Sequence, residues 1–226
     1  MAGTSQAELS LATGPFHSDA RSVSGRKRDE IQRAALALFS RDGYERTSVD
    51  AIAAEAGVSK RTVYNHFGDK ENLFLAVVQR TFVWMIGLVE EIVGRHLDDL
   101  RDPSALEPAL VDTLLEIART VTQLPERAAL IRLIIAEAGR FPALVQPWRN
   151  RGTVTDVISA RLLRLADRGL LAIDDPVQAT QHLSALTLSQ LNTRSLFGAL
   201  EISDAETESI IRSGVRVYLL AYTPRR

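Results

Sequence analysis

Between Gly43 and Lys70 the chain reads GYERTSVDAIAAEAGVSKRTVYNHFGDK, which holds two very short helical segments. Neither can stand alone in water, because nucleation fixes several residues before hydrogen bonding offsets the lost entropy, and isolated helices below about 12 to 15 residues stay marginal. Packing from neighbouring elements must hold them. Between them, Ala56-Gly57-Val58-Ser59 reads as a tight Gly-containing turn ending in a good N-cap. Such a turn sets two helices at a steep angle, the helix-turn-helix arrangement.

The flanks supply the packing. From Lys27 to Arg41, Ile31, Ala34, Ala35, Leu38 and Phe39 recur at helical spacing, and Gly43 stands where a left-handed cap belongs. The second helix takes Thr47 or Ser48 as cap, with Asp50 completing a Thr-x-x-Asp box, and buries Val49, Ile52, Ala53 and Ala56. The third runs from Ser59 to about His66. Asp69 caps a long fourth helix whose apolar pattern passes through Leu73, Val77, Trp84, Leu88 and Ile92. Prolines at 103, 125, 142, 147 and 176 then punctuate helices expected over 104–122, 126–139, 148–168, 176–199 and 204–222. The fold class is all-α.

Composition bounds the rest. At 226 residues and 46% hydrophobic content a large core is available, and strand-like alternation is hard to find. Residues 1–24, rich in Ser, Ala, Thr and Gly, read as a disordered tail; 25–70 form the helix-turn-helix domain and 71–226 a second helical domain. Without cysteine there is no disulfide or thiolate chemistry. No apolar run approaches membrane-spanning length and no secretory leader is seen, so the expected location is the cytoplasm, with no membrane partner.

Charge is uneven. Residues 21–80 carry eleven Lys or Arg against eight Asp or Glu, whereas 81–226 carry sixteen against eighteen. A weakly basic N-terminal third suits a DNA reader focused on a few phosphates. On the third helix Val63 and Phe67 share the buried face, which turns Arg61 and Asn65 outward with Thr62 beside them. Arg61 suits a guanine edge, Asn65 an adenine edge and the Thr62 methyl a thymine. Lys60 and Tyr64 flank the buried edge and suit phosphates, as does Lys70. Thr47, Ser48 and Ser59 either only cap helices or also touch the duplex backbone at helix N-termini. Arg26, Lys27 and Arg28 could form an arm along DNA, while Arg21 reads as a solvated charge.

The segment from about Arg26 to Val78 closely resembles the DNA-binding domain of the TetR family of bacterial transcriptional regulators. The matching residues are Ala34, Leu38, Phe39, Gly43, Tyr44, Thr47, Ile52, Ala53, Ala56, Gly57, Val58, Ser59, Thr62, Tyr64, His66, Phe67, Lys70, Glu71 and Leu73. The resemblance implies a homodimer on a near-palindromic operator, usually a repressor, released when a small molecule enters the C-terminal domain. It also brings His66 into the DNA-binding set, although packing would satisfy a helix-end histidine equally well.

Ile131 to Leu144, IRLIIAEAGRFPAL, is similar to the C-terminal domain of an AefR-like or AcrR-like subgroup and suggests a largely apolar organic effector. A pocket between helices four to eight would draw polar groups from Trp84, Gln123, Glu137, Arg140 and Asn192, each of which also reads as an ordinary interior or surface residue. Helix nine opens with a Ser203-x-x-Glu206 box and carries two apolar stripes, one through Ile211, Val215, Tyr218 and Tyr222, the other through Ile210, Gly214, Val217 and Ala221. Helix eight is similarly broad. Homodimerisation is therefore expected through helices eight and nine.

Catalysis is not expected: His17, His66, His96 and His182 lack ligand spacing, no phosphate loop or paired carboxylate motif stands out, and neither cofactor nor metal is implied. A helical protein-interaction module, or an activator without a small-molecule effector, is the competing reading.

Overall fold

The computed structural model describes residues 15–16, 23–142 and 153–224. Among them there are helices and turns and no strand: α1 (Val23–Asp42), α2 (Val49–Glu55), α3 (Lys60–Phe67), α4 (Lys70–Leu97), α5 (Leu106–Ile117), α6 (Pro125–Glu137), α7 (Val154–Asp167), α8 (Pro176–Leu186), α9 (Leu188–Arg194) and α10 (Asp204–Tyr222). The chain divides into two compact units, residues 1–85 with 129–149, and residues 86–128 with 150–226. The first unit is thus larger than the 25–70 expected from sequence. Leu130, Leu133, Ile134 and Phe141 join its core, and the apolar period of α6 alone does not reveal which core it fills.

In the first unit, Ile31, Ala35, Leu38 and Phe39 of α1 meet Ile52 of α2, Val63 and Phe67 of α3, and Leu73, Phe74 and Val77 of α4. Phe39, Tyr44, Phe74 and Phe141 form one aromatic cluster, with Tyr44 lying 4.9 Å from Phe141 and 5.0 Å from Phe74 between ring centres. These contacts supply the burial that the short α2 and α3 lack. Most of the tail expected over 1–24 lies outside the described residues. Phe16 is described and is buried: the Arg80 guanidinium lies 5.4 Å from its ring centre, donates to the Pro15 carbonyl and pairs with Asp29 at 2.5 Å.

In the second unit α8 packs on α7 and α10, and α10 also packs on α5. Two helices expected to be continuous are not. After Ile117 the ladder widens into one π turn over Ala118–Thr122, closed by the Gln123 amide on the Ala118 carbonyl. The helix expected over 176–199 breaks at Thr187 (φ −131°, ψ −93°), whose hydroxyl donates back to the Leu183 carbonyl at 2.6 Å. At this break the Leu186 carbonyl presses against Gly214, where a methyl would sit 2.2 Å from the oxygen. The start of the helix expected over 148–168 lies outside the described residues; α7 is capped by a Thr153–Asp156 box. Ser203 caps α10, but Glu206 does not close the box because it pairs with Arg194 at 2.6 Å.

Contrary to the sequence expectation, α4 is long and apolar enough to cross a membrane by length and composition alone. Its apolar residues are core residues of the two units: Leu73, Phe74 and Val77 in the first, Leu88, Ile92 and Val93 in the second.

Candidate nucleic-acid interface

Local chemistry sets the helix pair. Ser48 accepts from the Ala51 amide and caps α2, and Gly57 takes φ +63° in the turn, a region that costs an L-residue about 1–2 kcal/mol. Ser59 caps α3 by accepting from the Thr62 amide at 3.1 Å, and its hydroxyl also bonds that of Thr62 at 2.8 Å. Val63 (1% exposed) and Phe67 (7%) lock α3 inward. The opposite face therefore presents Arg61, Tyr64 and Asn65 to solvent, with Thr62 half-buried beside them. Among the described residues, no side-chain hydrogen bond or ion pair holds Arg61 or Asn65. A fork donor and an amide are left free one turn apart, which is the chemistry that reads base edges.

Several expected anchors are occupied otherwise. Thr47 is 2% exposed and donates to the Leu38 and Gly43 carbonyls, so its hydroxyl neither caps α2 nor reaches a surface ligand. Asp50 forms no box with it, because it pairs with Lys60 at 2.7 Å. This hydrogen bond, and the carboxylate charge with it, raise the Lys60 pKa. Lys60 remains at the surface and can exchange that exposed partner for another anion. Lys70 is half-buried, donates to the carbonyls of Glu45 and Thr47, and has its pKa lowered by burial. It is a staple inside the unit, not a free point charge.

His66 is half-buried at the end of α3, and its carbonyl accepts from Arg28 at 3.3 Å. The Arg28 guanidinium also lies 4.6 Å from the centre of the Phe67 ring. Arg26, Lys27 and Arg28 therefore belong to α1 itself, while Arg21 lies outside the described residues. The Arg28 and Arg80 contacts span dozens of residues, and no local sequence signal announces them.

The expected effector residues are dispersed. Trp84, Glu137 and Arg140 fall in the first unit. Arg140 is ion-paired with Glu45 and lies over the Tyr44 and Phe141 rings, so it serves the aromatic cluster. Gln123 and Asn192 are in the second unit. Gln123 donates to the Thr207 hydroxyl at 3.0 Å, and the Asn192 Oδ1 is buried without a partner. That unit contains a small cleft of about 60 Å³, partly open to solvent, lined by Leu114, Val154, Thr155, Ile158, Thr180, Leu183, Ser184 and Leu188. None of the five expected residues lines it. Among the described residues, no cluster of His, Asp and Glu could hold a metal ion.

Comparison with known proteins agrees with this geometry. The profile of the bacterial regulatory proteins, tetR family, matches residues 31–77, and that of the AefR-like transcriptional repressor C-terminal domain matches 109–224. The chain is 28% identical over 193 residues to the HTH-type transcriptional repressor AcnR of Corynebacterium glutamicum, covering 84% of this chain and 92% of that protein. A crystal structure of a TetR-family transcriptional regulator from Mesorhizobium loti superposes with a TM-score of 0.83 at 32% identity, covering 90% of this chain and all of the other. The flavonoid-responsive regulator FrrA superposes with a TM-score of 0.67 at 31% identity, over 89% of this chain and all of its own.

Proposed function

Because this chain belongs to the tetR family of bacterial transcriptional regulators, we propose that it is a repressor that binds a near-palindromic operator as a homodimer and releases it on binding a small organic effector. The observation that carries the DNA reading is the outward face of α3, where Arg61 and Asn65 are exposed and uncommitted while Val63 and Phe67 fix the helix from behind. Arg61, Thr62 and Asn65 read bases. Ser48, Ser59, Lys60, Tyr64 and His66 lie within or at the N-termini of α2 and α3 and contact phosphates. Such work takes place in the cytoplasm.

The dimer reading draws on apolar surface. Val177, Leu196, Phe197, Leu200, Val217 and Leu220, all between α8 and the end of α10, are 40–82% exposed, a density that a monomer rarely leaves to water. Two copies related by a two-fold axis would cover it. Repression and effector response are supported by relatives, one described as a repressor and one as flavonoid-responsive, and by the apolar cleft of the second unit. Ligand would act by favouring a dimer whose α3 helices no longer match successive major grooves.

The test is binding of the full-length protein to the intergenic DNA beside its own coding region, against scrambled DNA, with and without Arg61→Ala and Asn65→Ala. Specific binding that both variants lose supports the reading. Unchanged affinity in both variants favours a protein-interaction module instead.

A further inference from the structure

We propose that Arg127 is the anion-reading group of the effector site, and that the effector is an organic carboxylate; the inference rests on the reading of this chain as an effector-responsive regulator. Arg127 stands in the first turn of α6, within the second unit, mostly withdrawn from solvent. Its guanidinium carries five donors, of which one is used among the described residues, Nη1 donating to the Thr122 carbonyl at 3.1 Å. Among the described residues no carboxylate lies within ion-pair reach of it. Of the other half-buried arginines, Arg80 pairs with Asp29 at 2.5 Å, Arg161 faces Asp98 at 3.4 Å and Glu90 at 3.7 Å, and Arg168 donates to two carbonyls, those of Leu97 and Leu100.

An unpaired buried charge is costly to a fold, so its retention calls for a partner. Burial alone pulls the Arg127 pKa down to about 10, and the group is still a cation at neutral pH. A guanidinium fork matches a carboxylate through two parallel hydrogen bonds.

The surroundings fit such a ligand. Thr122 ends the π turn, a distortion that often marks functional sites, and α9 packs against that turn. On α9 the Asn192 side chain has a buried amide oxygen without a partner; exchanging its oxygen and nitrogen positions would offer a donor instead. Leu114 and Leu188 of the apolar cleft stand four residues before the π turn and before Asn192, respectively. Leu188 of the cleft and Asn192 thus share α9, which packs against the π turn whose last carbonyl Arg127 holds, so that apolar and polar groups adjoin as an amphipathic acid requires.

The test uses the full-length protein, with sodium octanoate and sodium benzoate as probes and octan-1-ol, benzyl alcohol and inorganic phosphate as controls at constant ionic strength. The expected result is a saturable rise in melting temperature with at least one acid and none with the alcohols. Arg127→Gln should weaken that acid at least tenfold without lowering its own melting temperature. Arg127→Lys, which keeps the charge but loses the fork, should be intermediate, and it serves if the Gln variant fails to fold. Equal shifts from acid and alcohol, a shift from phosphate alone, no saturable shift from either acid, or full acid affinity in both variants would overturn the proposal. Release of operator DNA is read separately. Acids that bind through Arg127 without releasing DNA would sink the effector reading alone, whereas release by the neutral compounds alone would sink the carboxylate inference alone.

Discussion

The Lys70 ammonium lies 4.3 Å from the centre of the Tyr44 ring while donating to the carbonyls of Thr47 at 2.9 Å and Glu45 at 3.3 Å. One side chain thereby fastens the first turn of α4 to the loop that leads into α2. The same loop carries Thr47, whose buried hydroxyl faces the Leu38 and Gly43 carbonyls. The position of the α2–α3 pair relative to α1 and α4 thus depends on contacts that are internal to the first unit.

Lys70→Ala should therefore act on stability. Losing charge-assisted hydrogen bonds and leaving two carbonyls less satisfied costs about 1.5–3 kcal/mol, read as a lower urea midpoint. The slope of operator affinity against salt should stay unchanged, because no phosphate contact is removed. A slope reduced by about one unit with stability intact would make Lys70 a phosphate anchor after all.

Arg61 and Asn65 should behave in the opposite way. Each substitution to Ala removes a solvent-facing side chain, so unfolding should change by less than about 0.5 kcal/mol. Discrimination between the operator and a site mutated at the contacted base should fall by about 1–3 kcal/mol per residue, measured by fluorescence anisotropy. Lys60→Ala should weaken all sequences alike, since its exposed pairing with Asp50 is readily exchanged. Loss of specificity in the Lys60 variant would reverse the assignment.

Glycine at 214 is required by shape. In a helix interior, replacing Gly with Ala ordinarily stabilises by about 1 kcal/mol. Here the new methyl would meet the Leu186 carbonyl at 2.2 Å and the Thr187 methyl at 2.7 Å, so the α8–α9 break must shift. Gly214→Ala should destabilise by about 1–3 kcal/mol in urea unfolding. A stabilised variant would mean that α10 and the break are not packed this closely.

What the sequence made legible was local. The buried faces of α1 and α3, the Ser59 cap and the left-handed Gly43 (φ +83°) all follow from helical period and turn chemistry within a few residues. What it hid depends on distant partners. Whether Thr47 or Ser48 caps α2 is undecidable from two adjacent hydroxyls, and was settled by the Leu38 carbonyl nine residues away. The break at Thr187 reflects a glycine on another helix, and Glu206 deserts its capping box for Arg194. Arg140 looked free to meet a ligand because Glu45 and Tyr44 lie almost a hundred residues upstream.

Tyr218 gives a prediction in pH. Its ring is 1% exposed and stacks on Tyr222 at 4.5 Å, and its hydroxyl is buried with no partner. Burial, reinforced by Tyr222, raises the phenol pKa well above its ordinary value of about 10. A group raised in the fold contributes stability that is fully present below the unfolded pKa and is lost as pH climbs toward the folded one, because the unfolded chain ionises first. The loss should therefore begin near about pH 10. Tyr218→Phe removes that alkaline limb and also removes an unsatisfied buried hydroxyl, so at neutral pH the variant should be unchanged or more stable by about 1 kcal/mol. Urea unfolding at about pH 7 and pH 11 checks both parts. A variant destabilised at neutral pH would show that the buried hydroxyl has a partner within the second unit, a side chain or a buried water.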